Sequence, residues 1–235
     1  MKKGFTLIEI IIDIVLLGIV SMIGIGIISS VFSGYSDSVT KSYLYSEARF
    51  IIERINRELR NSIPNTVRTD SGLIQFAKFD NASYYEIFHN KKRFIPVEEN
   101  IVSINDNISI YNTSTNIFYT KDRVYRIDSI TPFTKLNKKI EEDSPYNRFY
   151  KISTPVTFYI DDKKLKRCSK YPINPSDYGE DSKNCYIMGN YLADINFEYT
   201  PVTPGGNGQV KTDLILSKNN IRINLSSKVI LRNVP

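Results

Sequence analysis

The chain reads as an α+β protein in which one long N-terminal helix carries a C-terminal domain of antiparallel β-sheet. Three observations lead there. An apolar run broken by only two carboxylates fills Phe5 to Ile28, and a charged amphipathic stretch continues to about Ser62. Beyond Pro64 the sequence turns to short β-branched and aromatic runs separated by Asn, Asp, Ser, Pro and Gly, the pattern of strands and turns.

The apolar run offers about 24 residues, roughly 36 Å of helix, which is enough to cross a hydrocarbon core. Lys2 and Lys3 precede it and the next basic residue is Lys41. That asymmetry places the N-terminus in the cytoplasm and the bulk of the chain outside. Glu9 and Asp13 stand inside the run, four residues apart and so on one helix face. A bare carboxylate in lipid costs several kcal/mol, so both are candidate functional residues.

Helical periodicity resumes after Ser29, Ser30 and Gly34. Val39, Ala48, Ile51, Ile52, Ile55 and Leu59 form an apolar stripe, and the pairs Arg49–Glu53, Glu53–Arg57 and Arg54–Glu58 lace the opposite face. Each such pair contributes a few tenths of a kcal/mol at an exposed surface. A single helix is expected over 5–62, loosened at Gly24, Gly26 and Gly34, with 5–28 crossing the membrane and 29–62 packed on a globular domain of 63–235. Strands are expected at Leu73–Phe79, Tyr84–His89, Ile108–Asn112, Ile117–Lys121, Arg123–Ile130, Thr154–Ile160, Leu192–Tyr199, Leu214–Ser217 and Asn220–Leu231. The charged, proline-containing stretch from Thr131 to Asn147 reads as a surface loop.

The formal charge of +6 falls by two without Lys2 and Lys3, and the remaining basic residues are dispersed among acids and aromatics. This is a solvated surface rather than a nucleic-acid-binding one. Cys168 and Cys185 lie in the part placed outside the cytoplasm, where thiols oxidise, and are read as a disulfide.

Nothing in the sequence assembles a catalytic centre. His89 is the single histidine and no Gly-x-Ser-x-Gly turn accompanies it, while Pro204-Gly205-Gly206-Asn207-Gly208 lacks the lysine and hydroxyl of a phosphate-cradling loop. Asn105-Asp106-Asn107, Asp161-Asp162, and Asp177, Glu180 and Asp181 in the loop between the cysteines offer oxygen ligands of the kind calcium takes. None completes an EF-hand pattern, and solvated turn residues are the plainer reading, so no cofactor is expected.

Lys2-Lys3-Gly4 followed by Phe5-Thr6-Leu7-Ile8-Glu9 resembles the class III leader of the type IV pilin superfamily: charge, small residue, apolar start and glutamate fall in order. The resemblance implies that a prepilin peptidase cuts between Gly4 and Phe5, removing residues 1–4, and that the new N-terminus at Phe5 is methylated. The apolar segment would then be kept, whereas a secretory signal is discarded. It implies a lollipop fold, and it implies that Glu9 recognises the ammonium of Phe5 in a neighbouring subunit. Asp13 departs from the apolar residue usual at that position. The stretch Arg49 to Arg68, with Glu53-Arg54-Ile55-Asn56-Arg57-Glu58-Leu59-Arg60, is similar to the O-type minor pilins of mannose-sensitive haemagglutinin (MSHA) pili. Thr154-Pro155-Val156-Thr157-Phe158-Tyr159, Leu165-Lys166-Arg167-Cys168 and the tail Val229 to Pro235 resemble the same group.

The resemblance implies a non-enzymatic minor pilin that takes part in initiating or capping a type IV pilus. A globular part as large as residues 63–235 favours low stoichiometry near the tip, with adhesion as a possible consequence of exposure. Its implied partners are the prepilin peptidase and methyltransferase, other minor and major pilins, and the inner membrane, which the chain would span once before joining a pilus or pseudopilus, its globular domain periplasmic. J-type pseudopilins of type II secretion or competence systems and W-type minor pilins are rival readings. From other classes stand an uncleaved, signal-anchored periplasmic binding protein and an anchored envelope enzyme.

Overall fold

The computed structural model describes residues 6–87, 92–98, 100–131, 133–180, 182–201 and 206–231. Helix α1 (Leu7–Leu59) is one unbroken rod of 53 residues, about 80 Å long. Thr6 caps it: its hydroxyl accepts from the Glu9 amide at 3.4 Å while the Glu9 carboxylate accepts from the Thr6 amide at 3.2 Å. Two otherwise orphaned donors are satisfied reciprocally in this way. The rod passes straight through Gly24, Gly26 and Gly34, the points at which the sequence suggests loosening. The Tyr43 ring meets Tyr191 edge to face at 5.9 Å, and the buried side chains of the helix begin at Leu44 and continue through Ala48, Ile51, Ile52, Ile55 and Leu59, whereas Val39 is half exposed.

The β domain comprises β1 (Arg68–Asp70), β2 (Leu73–Ile87), β3 (Arg93–Pro96), β4 (Asn107–Ile110), β5 (Val124–Ser129), β6 (Thr134–Leu136), β7 (Arg148–Asp161), β8 (Lys164–Ser169), β9 (Cys185–Gly189), β10 (Leu192–Thr200), β11 (Gln209–Lys218) and β12 (Ile221–Ile230). Every strand pairing among the described residues is antiparallel. Strands β10, β11 and β12 form a separate sheet; the others follow the order β1-β2-β3-β6-β5-β4-β7-β8-β9, with an added β2–β7 pairing. That extra pairing closes β2, β3, β6, β5, β4 and β7 into a ring. The domain therefore has two lobes.

The helix-proximal lobe encloses the largest core, in which Leu44, Ile51, Ile55 and Leu59 of α1 meet Phe76, Phe158, Leu165, Leu214 and Leu216. Gly189 sits where the sheet comes closest to the helix. A Cβ there would lie 2.4 Å from the Ile51 Cδ1, so a side chain would have to displace the isoleucine. The ring lobe holds its own core of Tyr85, Phe94, Ile108, Ile110, Tyr125, Ile127, Leu136 and Phe149. Its aromatic rings meet edge to face, with centroids 5.4 Å apart for Phe94–Phe149 and 5.9 Å for Tyr85–Phe94. Strand β2 passes from one lobe to the other through irregular pairing between Ala77 and Asn81, beside Pro155, which has no amide to give the ladder.

Several sequence expectations change. Ile117–Lys121, expected as a strand, lies mainly in a short helix, α2 (Thr115–Tyr119), because the Ser114 hydroxyl accepts from the Ile117 amide and caps a turn that buries Phe118 and Tyr119. The expected surface loop at 131–147 contains β6 and the buried Leu136 and Ile140, which complete the ring core. The separate runs at Leu73–Phe79 and from Tyr84 form one strand, β2; His89 lies outside the described residues. Strands β1, β3, β8 and β9 carry no strong alternation, and the sequence pattern does not predict them. Asp162-Lys163 and Asn219-Asn220, both pairs at positive φ, make the two-residue turns of the β7–β8 and β11–β12 hairpins.

Candidate functional site

The first half of α1 is the feature that the fold leaves unsatisfied. From Leu7 to Val39 no side chain is buried by the rest of the chain: Leu7 is 79% exposed, Leu17 66% and Phe32 70%. Apolar residues surround the rod on all sides, as at Ile10, Ile11, Ile12 and Ile14. A helix of this kind belongs in a membrane or in a protein core. This part is long and apolar enough to cross a membrane, by length and composition. Glu9 and Asp13 are exposed on it. Glu9 is engaged in the capping box with Thr6, a local role beyond the assembly role that the resemblance implies. Gly4 and Phe5 lie outside the described residues.

At the other end of α1 an ionic cluster fixes the helix to the domain. Glu58 is 6% exposed, so it lies in the packed interface rather than on the outer charged face expected from its spacing to Arg54. Arg167 of β8 grips it with a forked pair, Nε at 2.8 Å and Nη2 at 2.7 Å, and Arg54 and Lys78 approach to 3.4 and 3.8 Å. Burial pushes the Glu58 carboxyl up, but the hydrogen bonds and charge of Arg167 and the charge of Lys78 outweigh it and hold the group below its ordinary value. A glutamate near a helix C-terminus also opposes the helix dipole, so the cluster must offset that as well. Sequence spacing revealed Arg54 as a partner; Arg167, 109 residues away, was not visible.

Cys168 and Cys185 face each other across β8 and β9 and are disulfide-bonded. The loop they close is organised by Arg68. Its guanidinium donates to the carbonyls of Asn174 (3.0 Å), Pro175 (2.6 Å) and Asp177 (2.7 Å) and lies between the rings of Tyr119 and Tyr178, 3.9 and 4.1 Å from their centroids. The carbonyls of this loop thus converge on a built-in cation. The acidic residues weighed as calcium ligands are dispersed. Asp106 pairs with Lys151 at 2.7 Å, Asp161 with Lys166, and the Asp177 carboxylate accepts from the Gly179 amide at 2.6 Å. No cluster of three or more potential metal ligands occurs among the described residues, and Asp181 lies outside them.

The fold and site define a class: an antiparallel β domain docked on the second half of a helix whose first half is suited to a membrane. No family model, curated protein or solved structure matches this chain.

Proposed function

We propose that the protein is a non-enzymatic minor pilin, cut after Gly4 and carried into a type IV pilus or pseudopilus by the first half of α1. The observation that carries this reading is the bare apolar half-helix bearing Glu9 and Asp13, continuous with a C-terminal part whose stripe from Leu44 to Leu59 is docked on the β domain. A plain membrane anchor has no use for two carboxylates, whereas a helix that leaves lipid to pack among other helices gains specificity from them. In this reading the helix waits in the inner membrane, with the domain in the periplasm, until it is drawn into the filament core. Glu9 meets the Phe5 ammonium of a neighbouring subunit, and Asp13 is matched to one particular neighbour in an initiation or tip complex.

Asp13→Val tests this. The variant should insert into the membrane at least as well as the parent, yet recover fewer pilin partners by pull-down and yield fewer filaments. Unchanged partner recovery and filament number would remove Asp13 from the mechanism.

A further inference from the structure

We infer that the waist between the two lobes binds a single acidic sugar, a six-membered ring carrying a carboxylate. A cavity of about 200 Å³ opens where the end of α1 meets the lobe-crossing part of β2 and the start of β7. It is smaller than the pockets that enclose drug-sized ligands, which suits one ring. Two guanidiniums, Arg60 and Arg148, line it, and no described lining residue is acidic.

The two arginines differ in a useful way. Arg148 is held in place: it donates to the Tyr84 hydroxyl at 2.7 Å and lies 5.0 Å from that ring's centroid. Arg60 follows directly on α1, is exposed, and its side chain has no hydrogen-bond or ion-pair partner among the described residues. One fixed and one free guanidinium beside a cavity without carboxylates make a fork for an incoming carboxylate.

The remaining lining decides what bears that carboxylate. Phe79, partly buried and backed at 5.3 Å by the Tyr150 ring, which is 6% exposed, supplies an aromatic wall for the C–H face of a ring. Polar contacts are available from the Ser62 hydroxyl and from Tyr84, which accepts from Arg148 and so keeps its own proton to donate. Inorganic phosphate would use the charge and leave the aromatic wall idle, and an aromatic acid would leave the hydroxyls idle. An acidic sugar uses all three features. The inference does not depend on the pilin reading, because the cavity lies wholly within the docked helix end and the β domain.

The test is calorimetric titration of the full chain in detergent micelles with glucuronate, glucose, benzoate and inorganic phosphate. Glucuronate should bind saturably, more weakly as salt rises, and glucose, benzoate and phosphate should each bind less tightly. Arg60→Gln should weaken glucuronate by about tenfold, the loss expected of a charged hydrogen bond, while the unfolding midpoint moves little, because the exposed Arg60 side chain makes no other hydrogen bond or ion pair among the described residues and its favourable place at the C-cap of α1 is a solvent-screened one. Absence of saturable glucuronate binding, an unchanged affinity in Arg60→Gln, or any of the other three probes matching glucuronate would overturn the assignment.

Discussion

The two halves of α1 share one rod and one hydrogen-bond ladder but differ in what surrounds them. From Leu44 to Leu59 one apolar stripe is covered by the β domain, down to 0% exposure at Leu44, Ala48, Ile51, Ile55 and Leu59, while Tyr45 and Phe50 off that stripe stay exposed. From Leu7 to Ile28 apolar residues cover the whole circumference and nothing in the chain covers them. The width of the apolar surface separates the two cases: a stripe can be satisfied by one's own domain, whereas a full cylinder needs a surrounding medium or several neighbours. The capped N-terminus and the ionic cluster at Glu58 mark the two ends of a helix built for two environments.

The ionic cluster offers the largest effect with which to break this comparison. Arg167→Ala should cost the domain roughly 3–5 kcal/mol, towards the lower figure because Arg54 and Lys78 still face Glu58. Urea unfolding of the full chain in detergent measures it. Glu58 also sets a pH dependence. Its carboxyl is held below its ordinary value of 4.5 in the folded state, so its contribution is complete above that value and is lost as pH falls through the lowered one. Stability of the parent should therefore drop on acidification through this range more steeply than that of Glu58→Gln. The reverse slope would show that burial, not Arg167, governs the group.

Ile51→Ala should cost about 2–5 kcal/mol, because the side chain is fully enclosed and packs against Gly189. Removing the disulfide through Cys168→Ser with Cys185→Ser should cost about 3 kcal/mol by loop-closure entropy. The loop should nonetheless keep its shape, because Arg68 continues to bind its carbonyls; proteolysis of the loop under native conditions reads this. Ile19→Ala sharpens the contrast from the other side, leaving the unfolding midpoint of the domain unchanged. A shift comparable to that of Ile51→Ala would mean that the first half of α1 folds back on the domain.

Legibility in the sequence followed locality. The helix, its amphipathic stripe from Ala48 to Leu59 and most of β12 rest on short-range periodicity and are readable, whereas only Leu214–Ser217 of β11 is, and the Asn219-Asn220 turn that joins the two strands is not. Nor is the ring lobe. Its closure depends on pairing β2 with β7, residues far apart in sequence, and its strand β6 is only three residues long within a charged stretch. Ile117, Phe118 and Tyr119 misled because their strand propensity is overridden by the Ser114 cap and by burial of two rings. Glu58 misled in the same way: its spacing to Arg54 suits a solvated pair, and only the fold brings Arg167 onto it.

The central claim is that the first half of α1 is retained and put to work in assembly, and the mature N-terminus tests that most directly. Mass spectrometry of the protein recovered from membranes or shed filaments should find a chain beginning at N-methylated Phe5, with residues 1–4 absent. A chain that retains Met1 to Gly4, or one cut after the apolar run, would contradict the account and leave α1 as an ordinary anchor or a discarded signal.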